Sequence, residues 1–97
     1  MNKTEARYSL LLEEEKRAGR IQWFAFEAVK LRLADRTFYT PDFLVMLEDG
    51  TLEFHEVKGF WEEDARVKIK VAAETFPLFR FVAVQFKKKE WVKETFG

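Results

Sequence analysis

Two strand-forming runs, Thr37 to Leu47 and Thr51 to Lys58, flank Glu48-Asp49-Gly50, and this hairpin constrains the fold more than any other stretch of the chain. A hairpin is marginal by itself and needs further strands or helices over its apolar positions. Its loop admits two registers. A two-residue Asp49-Gly50 turn pairs Glu48 with Thr51 and puts Asp42 opposite Val57. A three-residue loop, with Gly50 left-handed at a bulge, pairs Leu47 with Thr51 and puts Asp42 directly opposite Glu56. The difference matters because a one-residue slip turns every side chain to the other face.

In the second register one face carries Leu44, Met46, Leu52 and Phe54 near the turn, then Asp42, Glu56 and Lys58 at the far end. The other face carries Phe43, Val45, Leu47 and Val57 with Glu53 and His55. Opposed β-carbons lie roughly 5 Å apart, where like charges destabilise, and Lys58 supplies only one positive charge. The economical partner is a divalent metal held by carboxylate oxygen, and Mg²⁺ suits a site with few protein ligands because it keeps its waters. Such an ion activates water and stabilises charge on a phosphoryl oxygen. A surface ion pair is the alternative, and the residues alone leave both open.

The flanks supply the covering layers. Asn2 and Glu5 fit a capping box ahead of a helix over about residues 3–18, stopped by Gly19. "IQWFAFEAVKLRLA", from Ile21 to Ala34, reads as one strand before a turn at Asp35. Pro41 is tolerable near the start of the next strand at an edge. After Gly59, the segment "FWEEDARVKIKVAAETF" places Ala65, Ile69, Ala72 and Phe76 on one helical stripe, with Glu62, Glu63 and Asp64 at its start and Pro77 beyond its end. Trp61 is read as a core or staple aromatic. "FRFVAVQF", residues 79–86, is apolar enough for a strand buried on both faces, and the helical crossover makes it parallel to the preceding strand. The tail from Lys87 is read as a short helix or arm. The predicted class is α/β with a mixed sheet, in the order α-β-β-β-α-β, as a single domain over residues 1–97.

Composition excludes several chemistries. There is no cysteine, and His55 is the only histidine, so thiol catalysis, disulfides and a His/Cys zinc site are ruled out. The four glycines are too scattered for a phosphate-cradling loop, so no organic cofactor is expected. No apolar run suits a membrane span, which makes a soluble, cytoplasmic protein the default expectation. Formal net charge is zero, yet residues 1–64 hold 9 basic and 14 acidic side chains while residues 65–97 hold 8 basic and 3 acidic. The basic C-terminal third either faces phosphates or is a solvated surface.

The combination of Pro41-Asp42, a hairpin, Glu56-Val57-Lys58, Gly59 and a crossover helix resembles the PD-(D/E)xK nuclease superfamily, the restriction-endonuclease-like fold. "YTPDFL" and "FWEEDARVKIK" are similar in particular to the phage endonuclease I group of Holliday-junction resolvases and to related phage nucleases of unknown role. The resemblance covers nearly the whole chain and is strongest from Tyr39 to Lys70.

It implies a DNA endonuclease of phage or prophage origin using Mg²⁺ or Mn²⁺. Asp42, Glu56 and the Val57 carbonyl would be metal ligands, Lys58 would act on the attacking water or the developing charge, and Glu5 would be the acidic residue of the first helix. Arg66, Lys68, Lys70, Lys87, Lys88 and Lys89 are candidates for phosphate contacts. His55 points away from Glu56 by strand parity and is read as a packing or surface residue. Trp23, Phe24 and Phe26 exceed what a small core readily hides and suggest a homodimer, with branched DNA the expected substrate. A nuclease-like fold serving as a DNA-binding or assembly subunit is the alternative.

Overall fold

Asn2 starts the first helix. In the computed structural model, which describes residues 1–97, the Asn2 side chain accepts the Glu5 N–H at 2.8 Å and the Glu5 carboxylate accepts the Asn2 N–H at 2.7 Å. This capping box opens α1, Lys3–Arg17. At the other end the Gly19 N–H bonds the Lys16 carbonyl and the Arg20 N–H bonds the Glu15 carbonyl. That pattern needs a left-handed residue, and Gly19, at φ +79°, supplies it. Only Tyr8 and Leu12, one turn apart, are buried along α1, so a narrow stripe docks it.

Five strands form a mixed sheet. β1 (Ile21–Phe26), β4 (Phe43–Leu47), β5 (Leu52–Lys58), β6 (Arg80–Lys87) and β7 (Glu90–Phe96) lie side by side in the order β1-β4-β5-β6-β7. Only β5 and β6 are parallel, joined by α2 (Glu63–Thr75) as the crossover. β2 (Leu31–Ala34) and β3 (Thr37–Tyr39) make a separate two-stranded ribbon. Tyr8 and Leu12 of α1 cover one sheet face with Phe43, Val45, Val57, Val82 and Val84. Ile69, Ala72 and Ala73 of α2 cover the other with Phe54, Phe81 and Ala83, and Leu31 and Tyr39 of the ribbon join that second core. No helix is long and apolar enough to cross a membrane.

The loop of the β4–β5 hairpin is the three-residue one. Leu47 donates to the Thr51 carbonyl at 2.8 Å, Gly50 donates to the Leu47 carbonyl at 3.0 Å, and Gly50 sits at φ +89°. The ladder runs Phe43 to His55, Leu44 to Phe54, Val45 to Glu53 and Met46 to Leu52, so its continuation sets Asp42 against Glu56.

Three expectations are corrected. The strand expected from Ile21 to Ala34 breaks at Glu27, which takes φ +46° and donates its N–H to the Asp42 carbonyl at 2.7 Å. Leu31 to Ala34 then pairs in the ribbon instead of the sheet. The strand expected from Thr37 to Leu47 breaks at Pro41 and Asp42, because proline has no ladder N–H and the Asp42 N–H goes to a side chain, Glu56 Oε1, at 3.2 Å.

The tail is β7, antiparallel to β6, and not a helix or arm. Its turn is Lys88-Lys89, both left-handed at φ +52° and +64°. Without the usual asparagine or glycine, nothing in the sequence marks this turn. The aromatic cluster also divides. Phe24 and Phe26 lie against Phe43 at 6.2 and 5.3 Å between ring centroids, while Trp23, on the opposite face, remains 42% exposed. Trp61 packs against the α2-side core.

Two non-glycine residues at positive φ make the β6–β7 turn a site of strain. Replacing Lys88 by Asn and Lys89 by Gly should therefore stabilise the protein by about 1 kcal/mol, a rise in Tm of roughly 4–8 °C for a domain of this size. Thermal unfolding followed by circular dichroism checks this, and an unchanged or lower Tm would count against the strain.

Candidate metal and active site

The hairpin register brings Asp42 and Glu56 together on the α2-side face at the end of β5. Both are buried, at 7% and 8% exposure, and each accepts a backbone N–H from the other's strand. Val57 donates its N–H to Asp42 Oδ2 at 2.7 Å, and Asp42 donates its N–H to Glu56 Oε1 at 3.2 Å. Glu56 Oε1 also accepts the Tyr39 hydroxyl at 2.9 Å, while Lys58 Nζ lies 3.4 Å from Glu56 Oε2. Glu5, in the first turn of α1, brings a third carboxyl against Asp42. Its role in the capping box and its position beside Asp42 therefore coexist.

Negative charge is under-compensated here. Two unit charges about 5 Å apart repel by roughly 3 kcal/mol at an effective dielectric near 20. Lys58, with a side chain 39% exposed, offsets only part of that. Burial first, then Glu56, with Glu5 adding, pushes Asp42 from the ordinary 3.8 up to about 7 against the lowering by the Val57 N–H. Burial also raises Glu56, restrained by the Tyr39 hydroxyl, by Lys58 and by the Asp42 N–H. Tyr39 itself is pushed up by burial and by Glu56, so its hydroxyl remains a donor at any working pH.

Asp42 and Glu56 offer hard oxygen donors where negative charge is under-compensated, the donor chemistry that suits Mg²⁺ or Mn²⁺. The protein would thus contribute two carboxylates, with the Val57 carbonyl as the further candidate, and leave remaining positions to water or a substrate phosphate.

The opposite face of β5 holds a network that sequence parity located only in part. His55 is buried at 3% exposure, with Nδ1 2.6 Å from the Tyr8 hydroxyl and Nε2 2.9 Å from Glu53 Oε1. The Glu53 carboxylate can only accept, so Nε2 carries the proton and Nδ1 accepts from Tyr8. Arg80 Nη1 closes the chain on Glu53 Oε2 at 2.8 Å. Burial lowers His55, and its hydrogen bond, ahead of Arg80, lowers Glu53. This is a packing histidine with satisfied partners.

The basic candidates behave differently from one another. Arg66 is held by both Glu94 oxygens at 2.8 and 2.9 Å and lies over the Phe96 ring, so its guanidinium is already committed. Lys68 and Lys70 are exposed on α2. Lys87, Lys88 and Lys89 are exposed at the β6–β7 turn, just beyond Gln85, the register partner of Lys58, so they share its end of the sheet. The largest surface cavity, about 370 Å³, is lined by Pro77, Leu78, Phe79 and Phe96 among others and by none of Glu5, Asp42, Glu56 or Lys58. The Asp42–Glu56 pair therefore lies outside it, at one end of the sheet.

Sequence reasoning missed Tyr39 because only the break at Pro41 turns its hydroxyl onto Glu56; its place in "YTPDFL" was the available signal. No protein-family model, curated protein or solved structure matches the chain.

A raised Asp42 fixes the sign of a pH effect. Between pH 3.8 and about 7 the native state keeps a proton that the unfolded chain has released, so this group's contribution to stability falls as pH rises through that window. His55, lowered from 6.5, acts oppositely on the acid side but is common to wild type and variant. In chelator, Asp42→Asn should melt progressively later than wild type as pH rises from 4 to 8. A variant that instead melts well below wild type at pH 8 would identify a structural ion pair.

Proposed function

We propose that this chain is a metal-dependent DNA endonuclease with a restriction-endonuclease-like core. The observation that carries the reading is the buried Asp42–Glu56 pair, opposed across the hairpin with Lys58 beside it and short of positive charge. The succession of helix, antiparallel strands, crossover helix and parallel strand supports the same reading.

A bound Mg²⁺ or Mn²⁺ would supply an activated water and charge stabilisation on the scissile phosphate. Asp42 and Glu56 hold the oxygen donors in place through the backbone clasp. Lys58, exposed enough to leave Glu56 Oε2, offers its ammonium to the attacking water or to the charge developing on phosphorus-bound oxygen. Glu5 adds a carboxyl beside Asp42. Lys68, Lys70 and Lys87 to Lys89 remain the proposed phosphate contacts. Arg66, paired with Glu94, has to give up that pair before it contributes.

Lys58→Ala should reduce Mg²⁺-dependent cleavage of supercoiled plasmid by at least 100-fold while leaving binding to a four-way junction within a few-fold of wild type. Wild-type turnover in this variant removes Lys58 from the mechanism. Wild-type protein that binds junctions but cuts no DNA with either metal leaves the reading as a DNA-binding subunit.

We propose further that the chain works as a homodimer on branched DNA, a reading supported by the exposed Trp23 on the edge strand β1. Light scattering at working concentration should give twice the chain mass, with tighter binding to four-way junctions than to linear duplex. A monomer with equal affinity for both leaves a generic nuclease.

A further inference from the structure

Glu56 has two oxygens in different surroundings. Oε1 accepts two hydrogen bonds, from the Tyr39 hydroxyl at 2.9 Å and from the Asp42 N–H at 3.2 Å. Oε2 meets only the Lys58 ammonium, at 3.4 Å, on a side chain that is 39% exposed. The carboxylate is thus hydrogen-bonded along one edge and held along the other by a single ion pair that can be exchanged. Tyr39 does not belong to the strand that carries Glu56. It closes β3 of the ribbon, with its ring packed among Leu31, Phe54 and Ile69 and with 8% exposure. A rigid aromatic anchored in a second core can aim one donor at one carboxylate oxygen with little rotamer freedom.

We infer that Tyr39 is the positioning residue of the site: its hydroxyl locks Glu56 Oε1 so that Oε2 is presented to the divalent cation. The inference rests on the metal-site reading above. Partners that orient metal-ligating carboxylates are generally worth 10–100-fold in metal affinity when removed.

The test titrates Mg²⁺ alone, without DNA, and reads thermal stabilisation of the full chain. Tyr39→Phe keeps the ring in its core and deletes only the hydroxyl. The Mg²⁺ concentration giving half-maximal stabilisation should rise about 10–100-fold. A lower Tm in chelator with an unchanged Mg²⁺ midpoint would make the tyrosine merely structural and overturn the inference.

A second measurement needs no change at Tyr39. The chain has two tyrosines, so tyrosine labelled with ¹³C at Cζ gives two signals, assigned with Tyr8→Phe. The Tyr39 signal of wild type should move with Mg²⁺ at the same midpoint as the thermal shift, and the Tyr8 signal much less. A Tyr39 signal indifferent to Mg²⁺ in a protein that Mg²⁺ stabilises overturns the inference alone. Wild type that Mg²⁺ and Mn²⁺ both fail to stabilise overturns the metal site, and Tyr39's role with it.

Discussion

The clasp between Asp42 and Glu56, each carboxylate accepting a backbone N–H from the other strand, fixes the rest of the molecule around it. Asp42 meets four demands at once. Its side chain ties the entrance of β4 to Val57, and its N–H leaves the ladder for Glu56. Its carbonyl takes the Glu27 N–H and so ends β1, and its charge faces a second buried acid. Gly50 stands upstream of all of these. The left-handed φ it adopts at the loop selects the register in which residues 42 and 56 meet.

Two acidic clusters share β5 and differ in charge balance. On the α1 side Glu53 has His55 and Arg80, and its carboxylate is lowered. On the α2 side Asp42 has Glu56 and Glu5 for neighbours, and it is raised. The first is a closed network that fastens α1 to the sheet through Tyr8. The second holds charge that the polypeptide does not neutralise, the condition under which an external cation gains most. Tyr8 and Glu5 stand one turn apart on α1, so the hydrogen bond from Tyr8 to His55 helps fix where the first turn carries Glu5.

Much of this was legible because it is local. The capping box, the apolar stripe of α2, the nearly continuous apolar run of β6 and the glycine in the hairpin loop all act within a few residues, and the class followed from them; the loop admitted two registers, and the ladder adopts the one that groups Asp42 with Glu56 and Lys58. Glu27 and Asp42 break their strands through a bond between residues far apart in sequence, which no periodicity records. β7 escaped because Lys88-Lys89 adopts a turn conformation that its residue types disfavour, and because its inward residues, Trp91 and Phe96, are too widely spaced to look like a strand. Parity told which way His55 points and that Glu53 shares its face; that Tyr8 waits there depends on how α1 and β5 dock. Arg66, a candidate phosphate contact by sequence, pairs instead with Glu94 of β7, a residue 28 positions away.

β5 has a further property. In a sheet with one wet face, every second residue of a strand can drift under mutation, because alternate side chains reach solvent. From Glu53 to Val57 all five successive residues are buried, and three of them are polar. A change at Glu53 strands Arg80, one at His55 strands Tyr8, and one at Glu56 strands Tyr39. The sequence of that stretch is therefore tied by side-chain hydrogen bonds to three other elements, α1, β6 and the ribbon.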